Sequence, residues 1–140
     1  DKAKALLELI LLQSLEHYNL RYQNQKQTKQ NRIVKQFEQI VEEHLYNITQ
    51  NKVERLLSIS EIASQINVNA TYLGEVLKKV TGRTPKEILS DRIILEARSL
   101  LNNTDMAINE VAYFLKFQDA SNFTKFFKLK TGFSPSDYRK

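Results

Sequence analysis

"TGFSP" at residues 131–135 nearly rewrites "TGRTP" at residues 81–85. The chain has 140 residues but only three glycines and two prolines, and two of each go into this repeated phrase. The repetition continues upstream. With an offset of 49, Ile59, Glu61, Ile62, Ala63, Ile66 and Val68 fall on Ile108, Glu110, Val111, Ala112, Leu115 and Phe117. With an offset of 50, Leu73, Val76, Leu77, Lys78 and Thr81 fall on Phe123, Phe126, Phe127, Lys128 and Thr131. The change of offset puts one extra residue into the connection of the second copy. Similarity at a fixed period marks a duplicated structural unit.

Each unit reads as a short helix, a tight turn and a second helix. In the first copy "SISE" (58–61) is a capping box, with Ser58 at N-cap and Glu61 reaching back from N3. This helix runs to about Gln65, and Asn67 suits a left-handed turn. A helix over 70–81 follows, with Leu73, Val76, Leu77 and Val80 at i, i+3, i+4 and i+7, closed by Gly82. The second copy has helices near 108–115 and 120–131, buried through Phe123, Phe126 and Phe127 and closed by Gly132. The echo then makes sense as punctuation. "TG" ends one helix, and Thr84-Pro85 or Ser134-Pro135 starts the next at N-cap and N1. Glu87 and Asp137 stand at N3, completing a box in both copies. Between the units, a helix over about 85–102 spans roughly 27 Å and acts as a strut. A helix-turn-helix places its second helix in the major groove, which recurs about every 34 Å on one side of B-DNA.

The composition sets the class. Apolar residues make up 41 % and charged residues 26 % of the chain, and β-branched residues form no alternating runs, so the chain reads as all-α. No cysteine is present, which excludes disulfides and thiolate chemistry. The net charge is +5, and residues 55–140 carry 13 Lys/Arg against 9 Asp/Glu, so the basic excess sits with the repeat. His17 and His44 lack partners at metal-ligand spacing. There is no nucleophile–base pairing, phosphate-binding glycine loop or paired carboxylate, so neither an enzyme nor a metal or other cofactor is expected. The longest apolar stretch, "LLELILLQSL" (6–15), is too short to span a bilayer, and a cytoplasmic location without membrane insertion is expected.

The repeated unit resembles the AraC/XylS family of bacterial transcription regulators over roughly residues 55–139. "INEVAYFLKFQDASNFTKFFKLKTGFSPSDYR" (108–139) is similar to the family's signature nearly position for position. "SISEIASQINVNATYLGEVLKKVTGRTPKEIL" (58–89) and the bridging "RIILEARSLLNNTD" resemble it more loosely. The resemblance implies a bilobed, seven-helix module that docks two recognition helices in adjacent major-groove segments of double-stranded DNA. It also implies activation of transcription through contact with RNA polymerase. Two positions depart from the pattern. Lys116 stands where the family usually has a turn glycine, at a cost on the order of 1 kcal/mol if φ is positive. Ala107 stands at an N-cap that often holds Ser or Thr, which forgoes about 1 kcal/mol.

Helical spacing exposes Thr71, Tyr72 and Glu75 on the first recognition helix as candidates for base contact, with Lys78 and Lys79 for phosphate. On the second, Ala120, Ser121, Asn122, Thr124 and Lys125 are candidates for bases and Lys128 for phosphate. Asparagine can pair bidentately with adenine, and lysine can reach guanine O6/N7. Glu75 accepts from cytosine N4 but is repelled by phosphate. Gly74 costs roughly 1 kcal/mol relative to alanine inside a helix, and reads either as close approach to DNA or as a neutral substitution. Glu75 and Gly74 also support a competing reading, a helical protein-interaction module that has lost base reading.

The first fifty residues divide into a helix over 1–23, a polar flexible linker "NQKQTKQN" over 24–31, and an amphipathic helix over 32–48 that opens the DNA-binding domain of 32–140. Within that domain the units fall at about 58–82 and 107–132, with the bridging helix at about 84–103. Residues 1–22 carry too wide an apolar arc to stand in water. They must pack on the module, on a second copy as a homodimer, or on another domain, and the resemblance implies that 1–23 is the tail of an upstream sensor or dimerisation domain. Asp1 in place of Met fits a piece of a longer protein.

Overall fold

The computed structural model describes residues 1–140 as seven helices and no strand. They are α1 (Lys2–Thr49), α2 (Ile59–Ile66), α3 (Ala70–Thr81), α4 (Pro85–Asn103), α5 (Ile108–Phe114), α6 (Ala120–Thr131) and α7 (Pro135–Arg139). Two apolar cores organise them. The first gathers Phe37, Val41, Leu45 and Ile48 of α1 with Ile62 and Ala63 of α2 and Leu73, Val76 and Leu77 of α3. The second gathers Val111 and Ala112 of α5, Leu115, and Phe123 and Phe127 of α6. α4 serves both, because Ile93 enters the first core while Ile94, Ala97 and Leu101 enter the second. Successive residues on a helix point about 100° apart, so one strut divides its apolar side chains between two lobes. Phe117 and Phe126 pack against both cores, their rings 5.2 Å apart.

The repeated phrase does what its chemistry dictates, and one more thing besides. Gly82 and Gly132 close α3 and α6 at φ 78° and 82°, where a side chain would be strained. The threonine of each phrase is also a device. Thr81 Oγ1 donates to the Leu77 carbonyl at 2.6 Å and accepts from the Arg83 N–H at 3.2 Å, and Thr131 makes the same pair with Phe127 and Phe133. Each hydroxyl thus ties the last helical turn to the residue beyond the glycine. The boxes at Ser58/Glu61 and Thr84/Glu87 are reciprocal. The third is not: Ser134 Oγ accepts from the Asp137 N–H, but no bond returns. Aspartate is one methylene shorter than glutamate, which accounts for the half-made box. Val80, expected on the apolar face of α3, is exposed, and Phe126 is only half-buried because it lies between the lobes.

The N-terminal expectation needs correction. No linker interrupts 24–31, and α1 runs unbroken for 48 residues, about 72 Å. Low hydrophobicity suggested a flexible segment, but the stretch holds no Gly or Pro, and its Gln and Lys are good helix formers. Extending a helix already formed on both sides needs no new nucleus. Gln30 is already buried against the first lobe. By contrast every residue from 1 to 29 is exposed, including Leu6, Leu7, Ile10, Leu11 and Leu15. No helix is long and apolar enough to cross a membrane.

Where α1 meets α2, His44 Nε2 accepts the Leu57 N–H at 3.1 Å. That bond needs the imidazole unprotonated at Nε2. Burial pushes its pKa below the ordinary value; the Glu61 carboxylate opposes the shift and Arg55 reinforces it. A histidine whose folded pKa is depressed stabilises the fold above its unfolded pKa of about 6.5 and loses that contribution as pH falls below it. Next to it, Glu61 accepts from Arg55 Nη2 and Nη1 at 2.6 and 3.0 Å, and this contact, with the Ser58 N–H, holds its carboxyl down to about 2. The Glu61 contribution survives to lower pH and fades only between the ordinary carboxylate range and about 2. Thermal melts from pH 8 down are therefore expected to show a first fall in Tm below about 6.5 that His44→Gln removes. An unchanged fall in that variant would contradict the assignment.

Candidate nucleic-acid interface

α3 and α6 are entered by the same local chemistry. Asn69 Oδ1 accepts the Tyr72 N–H at 2.7 Å, and Asp119 Oδ1 accepts the Asn122 N–H at 2.7 Å. Asp119 lies fifty residues after Asn69, so the repeat itself links the two caps, both of which the sequence reading passed over. The turns before them hold the matching left-handed residues, Asn67 at φ 63° and Lys116 at φ 67°. Three residues separate α2 from α3 and five separate α5 from α6. The second turn carries the expected extra residue, and α5 ends one residue earlier, at Phe114.

Each recognition helix presents the same outward stripe. Thr71, Glu75 and Lys78 stand exposed at i, i+4 and i+7 on α3. Ser121, Lys125 and Lys128 stand exposed at the equivalent places on α6, joined by Asn122. The structure therefore aligns most of the candidate residues in two matching rows, one on each helix. It does not treat all of them alike. Tyr72 is half-buried and packs against the first core, and Ala120 packs against the second. Both were expected to be exposed, but each packs in part against the apolar core of its own lobe. Thr124 is half-buried as well. Lys79 is exposed, but it borders a hollow shared with Tyr22, Lys26 and Gln30 of α1, so it stands on the flank of α3 rather than in the stripe. A methyl group on Gly74 would meet no atom within 4 Å, so packing does not demand the glycine.

Two basic residues off the stripes share a partner. Arg83 forms an ion pair with Asp91 of α4, and Lys130 of α6 approaches the same carboxylate at 4.0 Å. Glu87 is held below the usual carboxylate range first by the Thr84 N–H, with Lys78, Arg83 and Lys130 adding to it. Lys78 of α3 and Lys125 and Lys128 of α6 are exposed and form no ion pair with a carboxylate. α7 closes the second lobe: Arg139 Nε donates to the Leu101 carbonyl at 3.1 Å, and its Nη1 reaches the Met106 carbonyl. Sequence reasoning assigned Arg139 no role, since nothing local in "SDYR" points 38 residues back.

A family model described as "Helix-turn-helix domain" matches residues 62–140, more than half of the chain. The chain belongs to the AraC/XylS family of DNA-binding transcription regulators. Its relatives in this family include an uncharacterized HTH-type transcriptional regulator, YtdP of Bacillus subtilis, 32 % identical over 99 residues. That match covers 71 % of this chain and 13 % of YtdP. The HTH-type transcriptional activator RhaS of Salmonella arizonae is 33 % identical over 78 residues, covering 56 % of this chain and 28 % of RhaS. The matched region is thus less than a third of either relative's length. Among solved structures, it is similar to the C-terminal domain of AraT, a response regulator from Geobacillus stearothermophilus. The TM-score is 0.59 at 27 % identity, covering 71 % of this chain and 83 % of that one. Both departures from the AraC/XylS pattern persist in space: Lys116 occupies the left-handed turn, and Ala107 caps α5 with no side-chain bond.

Proposed function

We propose that the chain is the DNA-reading part of a transcription activator that inserts α3 and α6 into successive major-groove segments on one face of the duplex. The pair of matched stripes, Thr71/Glu75/Lys78 and Ser121/Lys125/Lys128, joined by one rigid helix, carries this reading. In it, Asn122, Lys125 and Ser121 of α6 read base edges in one segment and Thr71 and Glu75 of α3 in the other, and Tyr72, Ala120 and Thr124 contribute through their exposed parts. Lys78, Lys79 and Lys128 hold phosphates. Glu75 in the first stripe repels phosphate, so α6 supplies most of the sequence discrimination. The role is binding in the cytoplasm and not catalysis. The relative RhaS, an activator by name, supports activation, for which contact with RNA polymerase is the proposed route. The exposed leucines of 1–22 support pairing with a second copy, which sedimentation velocity would register as a concentration-dependent shift.

Salt decides between this and a protein-interaction module. Neutralising Z phosphates gives log K against log salt a slope of about −0.9Z, so the three lysines together set a slope near −3. Lys128→Ala and Lys78→Ala are each expected to flatten it by about one, on specific and non-specific duplexes alike. A slope near zero in titrations of a labelled duplex between 50 and 200 mM salt, as an order-of-magnitude window, would favour the protein-interaction reading.

A further inference from the structure

Three non-glycine residues have positive φ, and two of them touch each other across the molecule. Lys116 Nζ donates to Asn51 Oδ1 at 2.9 Å. Asn51 sits at φ 53° immediately past the C-terminal end of α1, in the first lobe. Lys116 sits in the turn that delivers α6, in the second lobe. Both turns are themselves fixed by backbone bonds. The Asn51 N–H donates to the Ile48 carbonyl at 2.9 Å, and Lys52 reaches Asn47 at the same distance. Lys116 and Phe117 bond back to Tyr113 and Ala112, each at 3.0 Å. The contact therefore links two held points, not two loose loops. Phe117, the next residue, packs against both cores and against Phe126, so the polar contact lies at the edge of the apolar joint between the lobes.

This gives a reason for a lysine where glycine would sit without strain. At the equivalent turn of the first unit Asn67 takes the left-handed conformation, which asparagine tolerates. Lysine has no such local excuse, but only a long side chain with a terminal donor reaches across to Asn51.

We propose that Lys116 is a positioning residue: its bond to Asn51 fixes the approach of α6 relative to the first lobe and so sets the spacing between the two DNA blocks that the protein accepts. The end of α1 thereby holds the second recognition helix as well as the first. The proposal rests on the two-groove reading above.

The test uses the whole chain and a duplex library in which two selected blocks are separated by variable numbers of base pairs. The wild type should accept one spacing. Lys116→Met and Asn51→Gly, which remove donor and acceptor without adding strain, should lower the discrimination against spacings one base pair longer or shorter. The expected drop is on the order of three- to tenfold, the weight of one hydrogen bond. The sequence within each block should stay the same. Lys116→Gly should broaden spacing equally while melting no lower than wild type, because it relieves the backbone. Asn51→Asp keeps an acceptor and should keep the spacing. A merely structural role would change melting temperature and affinity at every spacing alike. Variants that retain the single wild-type spacing overturn the proposal and leave two-groove reading standing. A wild type that enriches only one block overturns both.

Discussion

Replacing Phe127 by alanine is expected to destabilise the second lobe by about 3–5 kcal/mol, the range for emptying a fully buried aromatic site. Phe127 has no exposed surface, and its ring packs against Phe123 at 5.9 Å and Tyr138 at 5.4 Å. The second core is the smaller of the two, with eight buried residues against thirteen, so it has less to lose. A loss of this size compares with about 5–15 kcal/mol for the stability of a whole domain. The first core does not contain Phe127, so α1–α3 should remain folded while α5–α7 melt early. Urea denaturation followed by circular dichroism should then split into two transitions, and DNA binding should retain only the first block. Leu129→Ala provides the contrast, since Leu129 is 86 % exposed on the same helix and should change stability by less than about 0.5 kcal/mol. A Phe127→Ala protein within about 1 kcal/mol of wild type would mean the second lobe is not built around this ring.

The second large effect is functional. Asn122→Ala with Lys125→Ala is expected to reduce affinity for the selected duplex on the order of a hundredfold or more, because a bidentate base contact is worth about 1–3 kcal/mol. Stability should hardly change. Both side chains are exposed, and the cap on α6 uses the Asn122 backbone N–H, which alanine retains. Binding to unrelated duplexes should fall far less, since that binding is mostly electrostatic. The assignment fails if all sequences weaken equally, because the pair would then be touching phosphate. It also fails if nothing weakens, because α6 would then not be in the groove.

How much of this was legible beforehand follows from the range over which each signal acts. The two glycines, the capping serines and threonines and the helical spacing of Phe123 and Phe127 act within a few residues, and they placed the helices to within one residue or so. The duplicated phrase supplied what local signals cannot, namely that two units stand in equivalent places. What escaped was set at long range. The segment 24–31 looked flexible on its own polarity, but it is the middle of a helix anchored at Gln30 by the first lobe. Tyr72 and Ala120 looked outward on a helical wheel, yet the cores bury part of each. Lys116 read as a costly exception until its ammonium was seen to meet Asn51, 65 residues away. Arg139 closes the second lobe against Leu101 in the same way. A single chain announces its turns; it does not announce which turns meet.

The central claim is that two helices of one rigid body read two groove segments. The most direct test is selection of binding sites by the wild-type chain from a randomised duplex, at low and at moderate salt, followed by sequencing. The account predicts two enriched blocks about ten base pairs apart, one helical turn of B-DNA. The block lost in the Asn122/Lys125 double variant should be the more sharply defined, since Glu75 weakens the other. One block alone, or no enrichment at either salt concentration, would contradict it.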